Sequence, residues 1–303
     1  MRVLILRCGA AANALDLRLD QLGAGAAAEL STVQLDLAPS RRDLRFLDSA
    51  AAAALPEDPT PSLDEIAAQP DVAHLGAPQP APQEPYLRQR LRVVVVGTDA
   101  SLSAVLTRAM RADYLWAEFA FVPVEPTPAA ANWGIPIGRA ALPLALHGEV
   151  RPAPLIRSDR GIAVAGSALI EEADGREFIG EIVVDDATIL FRRGDNAAPA
   201  GGSAAPRTGA FGARLVPMPT APGIAAAPLT TPARPPEGGS LRARWLRATR
   251  AYGQVDEAGL ATGRAVQAGG RGILITIDAV PAPRPVKRAT FYRHLRDLQI
   301  VRP

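Results

Sequence analysis

The stretch Arg92–Met110, RVVVVGTDASLSAVLTRAM, decides the architecture. Its four consecutive valines, Val93 to Val96, do not alternate with polar residues and so read as a strand buried on both faces. The run stops at Gly97. Beyond it Leu102, Val105, Leu106 and Ala109 recur at helical spacing, which predicts strand, tight turn and a helix to about Ala112. In such a unit the first helical N–H groups face the crevice at the carboxyl end of the strand, where phosphate binds. Gly97, Thr98, Asp99, Ala100 and Ser101 are therefore the first candidate nucleotide-binding residues.

The same alternation extends to both sides. RVLILRCGA, from Arg2, opens as another buried strand; ALDLRLDQLG, from Ala14, reads as helical and STVQLDLAP, from Ser31, as strand-like. Pro56 to Pro85 is rich in proline and acidic residues, which predicts a surface excursion. It holds one short helix, SLDEIAAQ, whose Ser62 and Glu65 have the spacing of a capping box. A second strand, WAEFAFVPV, begins at Trp116, and the segment from Glu125 to Gly148 ends in a helical pattern. Strands alternating with helices imply an α/β domain over residues 1–148, a helix-covered and mainly parallel sheet.

After Glu149 the pattern changes to short alternating runs without intervening helices: GIAVAGSALI from Gly161, EFIGEIVVDDATILF from Glu177, ARLVPM from Ala213, SLRARWLRAT from Ser240, GRAVQAG from Gly263, GILITIDAV from Gly272 and LQIVRP from Leu298. These predict a β-rich, sandwich-like second domain over residues 149–303. Two Pro/Ala/Gly-rich stretches, 194–209 and 219–240, read as loose loops.

Composition narrows the function classes. The chain has 303 residues, 48% of them hydrophobic, and a net charge of +2 with acidic and basic residues interspersed. That gives room for two domains and no nucleic-acid footprint. Cys8 is the single cysteine, which excludes an internal disulfide framework. The N-terminus has too short an apolar run for a signal peptide, so the expected location is cytoplasmic. His74, His147 and His294 lie far apart in the sequence with no partner at ligand spacing, which argues against zinc.

Three local matches, in order, resemble the diacylglycerol kinase and NAD kinase-like superfamily, the lipid-kinase branch in particular. VVVVGTDASL matches its GGDGT turn after a hydrophobic strand, keeping Gly97, Asp99 and Leu102, with Ser101 for threonine and Thr98 and Ala100 for two glycines. VPVEPTPAAANWGIP matches a proline, a Gly-Thr-x-Asn-Asp loop and a closing Gly-Ile-Pro, keeping Pro123, Gly134, Ile135 and Pro136. Here Glu125, Pro126, Thr127 and Pro128 stand in for the polar loop. LITIDAVPAPRPV keeps the aspartate of an Asp-Gly-Glu turn as Asp278, with Ala279 and Val280 after it. The resemblance implies an ATP-dependent phosphotransferase that uses ATP and Mg²⁺. Gly97 to Ser101 and Thr127 would lie near the nucleotide, and Asp278 would take a proton from the hydroxyl of a lipid or small-molecule acceptor. A homodimer is also compatible with it.

The departures fall on the chemistry. Losing two glycines restricts backbone approach to an anion, two prolines remove N–H donors, and Glu125 places a carboxylate near the phosphates. A non-catalytic kinase-like module for nucleotide sensing or protein interaction is the alternative. An NAD kinase fits the second match less well, and a dehydrogenase lacks G-x-G-x-x-G after the valine strand. Each residue also has a plainer use: Gly97 and Asp99 in an ordinary βα turn with the aspartate as helix cap, Asp278 and the pair Asp185–Asp186 in hairpin turns, Trp133 as a core anchor. The basic segment with Arg284, Lys287, Arg288, Arg293, Arg296 and Arg302 fits either docking on an anionic membrane or protection of a sheet edge.

Overall fold

The computed structural model describes residues 1–19, 29–69, 76–194, 209–234 and 251–303. It divides into two compact units, Met1–Gly166 with 217–223 and Arg293–Pro303, and Ser167–Val216 with Ile224–Tyr292. The division after residue 148 expected from the sequence therefore lies at Gly166/Ser167. LQIVRP returns to the first unit instead of joining the second.

The first unit is built on a parallel sheet. Its strands are β1 (Arg2–Cys8), β2 (Glu29–Leu35), β3 (Leu91–Gly97), β4 (Glu118–Pro123) and β16 (Gln299–Ile300), in the order β16-β4-β3-β1-β2. All four pairings are parallel. The valine run lies at the centre, and Val93 to Val96 are fully buried. Each buried valine contributes about 1.5–3 kcal/mol relative to exposure. The helices are α1 (Ala10–Ala14), α2 (Arg45–Ala54), α3 (Leu63–Ala67), α4 (Asp99–Arg111), α5 (Pro128–Trp133) and α6 (Leu142–His147). Leu102, Val105, Leu106 and Ala109 form the fully buried face of α4.

Ser62 and Glu65 make the expected capping box on α3. The helix expected over Ala14–Gly23 is instead a single turn over Ala10–Ala14, and residues 20–28 are outside the described residues. Helix α2 gave no signal that separated its polyalanine from a loop. After α6 comes a short hairpin, β5 (Ile156–Ser158) and β6 (Ala163–Val164).

The second unit is antiparallel. Its strands are β7 (Ala168–Glu172), β8 (Gly180–Val184), β9 (Ala187–Arg192), β10 (Gly212–Pro217), β11 (Ile224–Pro228), β12 (Ala261–Gly263), β13 (Ala265–Ile277), β14 (Val280–Pro281) and β15 (Val286–Arg293). The two runs GRAVQAG and GILITIDAV are one strand, β13, irregular between Gly269 and Ile273. It pairs β8 with its first half, β7 with its second and β15 along both. Ile224–Pro228, expected in a loose loop, is a strand because Ile224 to Ala226 pair with β12. SLRARWLRAT lies outside the described residues. No α-helix follows His147 among the described residues, and no described helix is long and apolar enough to cross a membrane.

Candidate functional site

The turn after β3 is closed by its own polar groups. Thr98 is the N-cap of α4 and forms a reciprocal capping box with Ser101, whose Oγ accepts from the Thr98 N–H at 3.3 Å. The fully buried Ser101 hydroxyl donates to the Leu37 carbonyl at 2.6 Å. Gly97 is needed for packing: an added Cβ would lie 2.7 Å from Ser101 Oγ and 3.2 Å from Cys8 Cβ. No residue from Gly97 to Ser101 has a positive φ. A turn of this shape has no conformational need for glycine at 98 or 100, and Thr98 and Ala100 fit it without strain. Cys8 beneath it is held neutral, its thiol pushed up to about 12 by burial, against the Ser101 hydroxyl, which lowers it.

Asp99 does not cap its own helix, the plainer use expected for it; Thr98 does that. Asp99 is 5% exposed, and its Oδ2 accepts from the Ala129 N–H, 3.0 Å away at the start of α5. Thr127, the N-cap of α5, accepts from the Ala130 N–H at 3.2 Å, and its hydroxyl lies beside the Asp99 carboxylate. A carboxylate of the chain thus sits where the N-terminal groups of α5 would meet an outside anion. Burial raises the Asp99 pKa above its ordinary value. The Thr127 hydroxyl and the Ala129 N–H lower it, and the charge of exposed Glu125 adds to the rise.

Gly166 covers this pair. A Cβ there would fall on Asp99 Oδ2 and 2.7 Å from the Ala129 nitrogen, and the Gly166 carbonyl accepts from Asn132 Nδ2 at 2.9 Å. The sequence carried no local sign of Gly166, because its role follows from a contact with α4 and α5, distant in the chain. Gly134 ends α5 in the left-handed conformation at φ 66°, and Trp133 packs into the core as expected.

Asp278 belongs to the second unit. With Ala279 it makes the two-residue turn between β13 and β14, with φ of 49° and 65°. Its Oδ1 accepts from the Ser167 N–H and its own N–H donates to the Ser167 carbonyl, both at 2.9 Å. Asp185 is likewise a turn residue between β8 and β9, accepting from the Arg264 and Ala265 N–H groups.

The basic segment divides between inside and outside. Arg293 pairs with Asp297 at 2.8 Å and Arg296 with Asp113 at 2.7 Å, both guanidiniums buried. Only Arg284, Lys287 and Arg288 of that series are exposed.

Most of the groups that the resemblance assigns to ATP and Mg²⁺ already have partners in the chain. The Ser101 and Thr98 hydroxyls and Asp99 Oδ2 are engaged within the chain, while Asp99 Oδ1 is buried with no hydrogen-bond partner among the described residues. No group of three or more His, Cys, Asp or Glu side chains among the described residues is placed to hold a metal ion.

A parallel α/β unit carrying a self-capped βα turn, together with an antiparallel β unit, defines the class of protein. The crystal structure of a diacylglycerol kinase from Bacillus anthracis str. Sterne has this fold: TM-score 0.55 at 8% identity, covering 100% of this chain and 96% of that one. A second crystal structure from the same strain, of a protein described as a putative diacylglycerol kinase, gives 0.56 at 8% identity, with the same coverage of both chains. An NAD kinase from Archaeoglobus fulgidus, solved in complex with ATP, reaches 0.41 at 9% identity over 100% of this chain and 94% of that one, too slight a likeness to bear on the fold. No family model and no curated protein sequence matches the chain. The chain has the diacylglycerol kinase fold, and the superfamily resemblance of its three motifs is met at that level.

Proposed function

We propose that this chain is a non-catalytic module on the diacylglycerol kinase fold, one that has replaced bound phosphate with its own carboxylate. The observation that carries this reading is Asp99 Oδ2 on the Ala129 N–H, flanked by Thr127 and covered by Gly166. A helix end contributes about 0.3–1 kcal/mol to anion binding at an exposed site, whereas a carboxylate ~4 Å from a phosphate opposes it by about 1 kcal/mol in water and more when buried. The carboxylate wins. Fold likeness to kinases does not restore the activity, because function resides in the site.

Calorimetry with ATP, with and without Mg²⁺, together with transfer of labelled phosphate from ATP to diacylglycerol in mixed micelles, tests the reading. The expected result is no metal-free binding, at most high-micromolar to millimolar binding with Mg²⁺, and no transfer. Tight metal-independent binding overturns it. So does transfer to lipid that Asp278→Asn abolishes in a folded protein, which would establish the phosphotransferase with Asp278 as its base.

A further inference from the structure

A cavity of about 340 Å³ opens within the first unit, lined by Leu91, Glu118 and Gln299, the first residues of β3, β4 and β16. Leu91 and Gly97 terminate the same strand about 20 Å apart at ~3.3 Å per residue, so this cavity and the Gly97 turn lie at opposite ends of the sheet. Its volume falls in the range that encloses a small molecule.

The floor is fixed by hydrogen bonds and carries two guanidiniums on one carboxylate. Buried Glu118 lies between Arg90 at 2.5 Å and Arg92 at 2.6 Å. Arg92 in turn donates to the carbonyls of Ala145, Leu146 and Gly148 at the C-terminal end of α6, where a cation is favoured. Gln299 is fixed by the Gln79 and Asp297 carbonyls. Trp116, Leu87 and Pro152 supply apolar wall.

Two further carboxylates outweigh that excess positive charge and leave the lining and floor together net negative by one. Glu84 and Glu149, both exposed, line the cavity, and their carboxylates make no hydrogen bond or ion pair among the described residues. Arg90 already faces Glu118. We infer that this cavity binds a small organic cation, an ammonium or guanidinium head between Glu84 and Glu149 with an apolar body against Trp116 and Leu87. Matching of two carboxylates to one cationic head and of apolar wall to apolar body follows from their chemistry. The site is independent of the reading of the Gly97 turn.

Calorimetry on the full chain tests it with tyramine and agmatine as probes and 4-hydroxyphenylacetate as the matched molecule without the amine. Both amines are expected to bind, more weakly as salt is raised, and the acid is not. Glu84→Gln with Glu149→Gln should weaken the amines about tenfold, since two exposed ion pairs of up to about 1 kcal/mol each are removed. These two side chains are exposed, so the double variant is expected to keep its circular dichroism spectrum. The proposal is overturned if neither amine binds, if the acid binds as well as tyramine, or if the folded double variant binds the amines as tightly as the parent. Asp99→Asn should leave amine binding unchanged, and ATP binding reports on the other end of the sheet, so the two readings fail separately.

Discussion

Asp99 shows what one residue can do when its helix cap is already supplied by a neighbour. Thr98 satisfies the start of α4, which leaves the Asp99 carboxylate to cross to α5 and accept from Ala129. Burial raises its pKa in the fold, so the native state holds a proton over a pH range in which the unfolded chain, near 3.8, has released it. Stability therefore falls as pH rises from the unfolded value through the folded one, and ionised Asp99 is a net cost above both. Asp99→Asn keeps an acceptor for Ala129 and removes the charge. Urea unfolding at pH 4 and pH 7 should show the parent losing stability relative to the variant over that interval, with the variant at least as stable at pH 7. A variant clearly less stable at pH 7 would mean that the charge itself holds α5. None of this could be read from GTDAS. The sequence marks a polar turn, but which helix an aspartate caps depends on where α5 is brought by folding.

At the scale of elements, legibility followed periodicity. The valine strand, α4, the WAEFAFVPV strand and the capped α3 each carried a strong local signal, and each is present. Polyalanine α2 lacked one, and β11, written in alanine and proline, became a strand only through its partner β12. The hairpin β13–β14 adds a third case, in which turn chemistry and sequence disagree. Both turn positions have positive φ, which aspartate tolerates and alanine does not. The left-handed conformation costs an L-residue about 1–2 kcal/mol, and glycine gives back about 0.4–1 kcal/mol in unfolded-chain entropy. Ala279→Gly should therefore stabilise the protein by about 0.5–1 kcal/mol, read as a higher urea midpoint at unchanged m. A loss of stability would show that the Ala279 methyl is packed to more advantage than the strain it bears.

For the whole molecule, the feature least visible in the sequence is the last one in the chain. LQIVRP has an ordinary strand pattern, and pattern alone attached it to the β-rich unit that precedes it; register assigns it to the parallel sheet, with Gln299 opposite Glu118 and Ile300 opposite Phe119. Arg151 donates to the Ile300 carbonyl and Val301 to the Phe119 carbonyl, so the segment is held on both sides. Leu298, Ile300 and Val301 are each at most 1% exposed. Ile300→Ala should cost about 2–5 kcal/mol in denaturant unfolding, a large part of the 5–15 kcal/mol that a domain has in all. A cost below 1 kcal/mol would mean that β16 merely rests on the edge.

That same strand imposes an order in time. A ribosome delivers β1, β2, β3 and β4 early, and the whole second unit must then be made before Gln299 and Ile300 emerge. Until they do, β4 presents an open edge, ready to pair with any other extended chain. The first unit thus cannot close until residues 298–301 have been made, and a nascent chain stalled anywhere upstream of Leu298 would be left with the exposed, pairing-competent edge that chaperones and proteases act on.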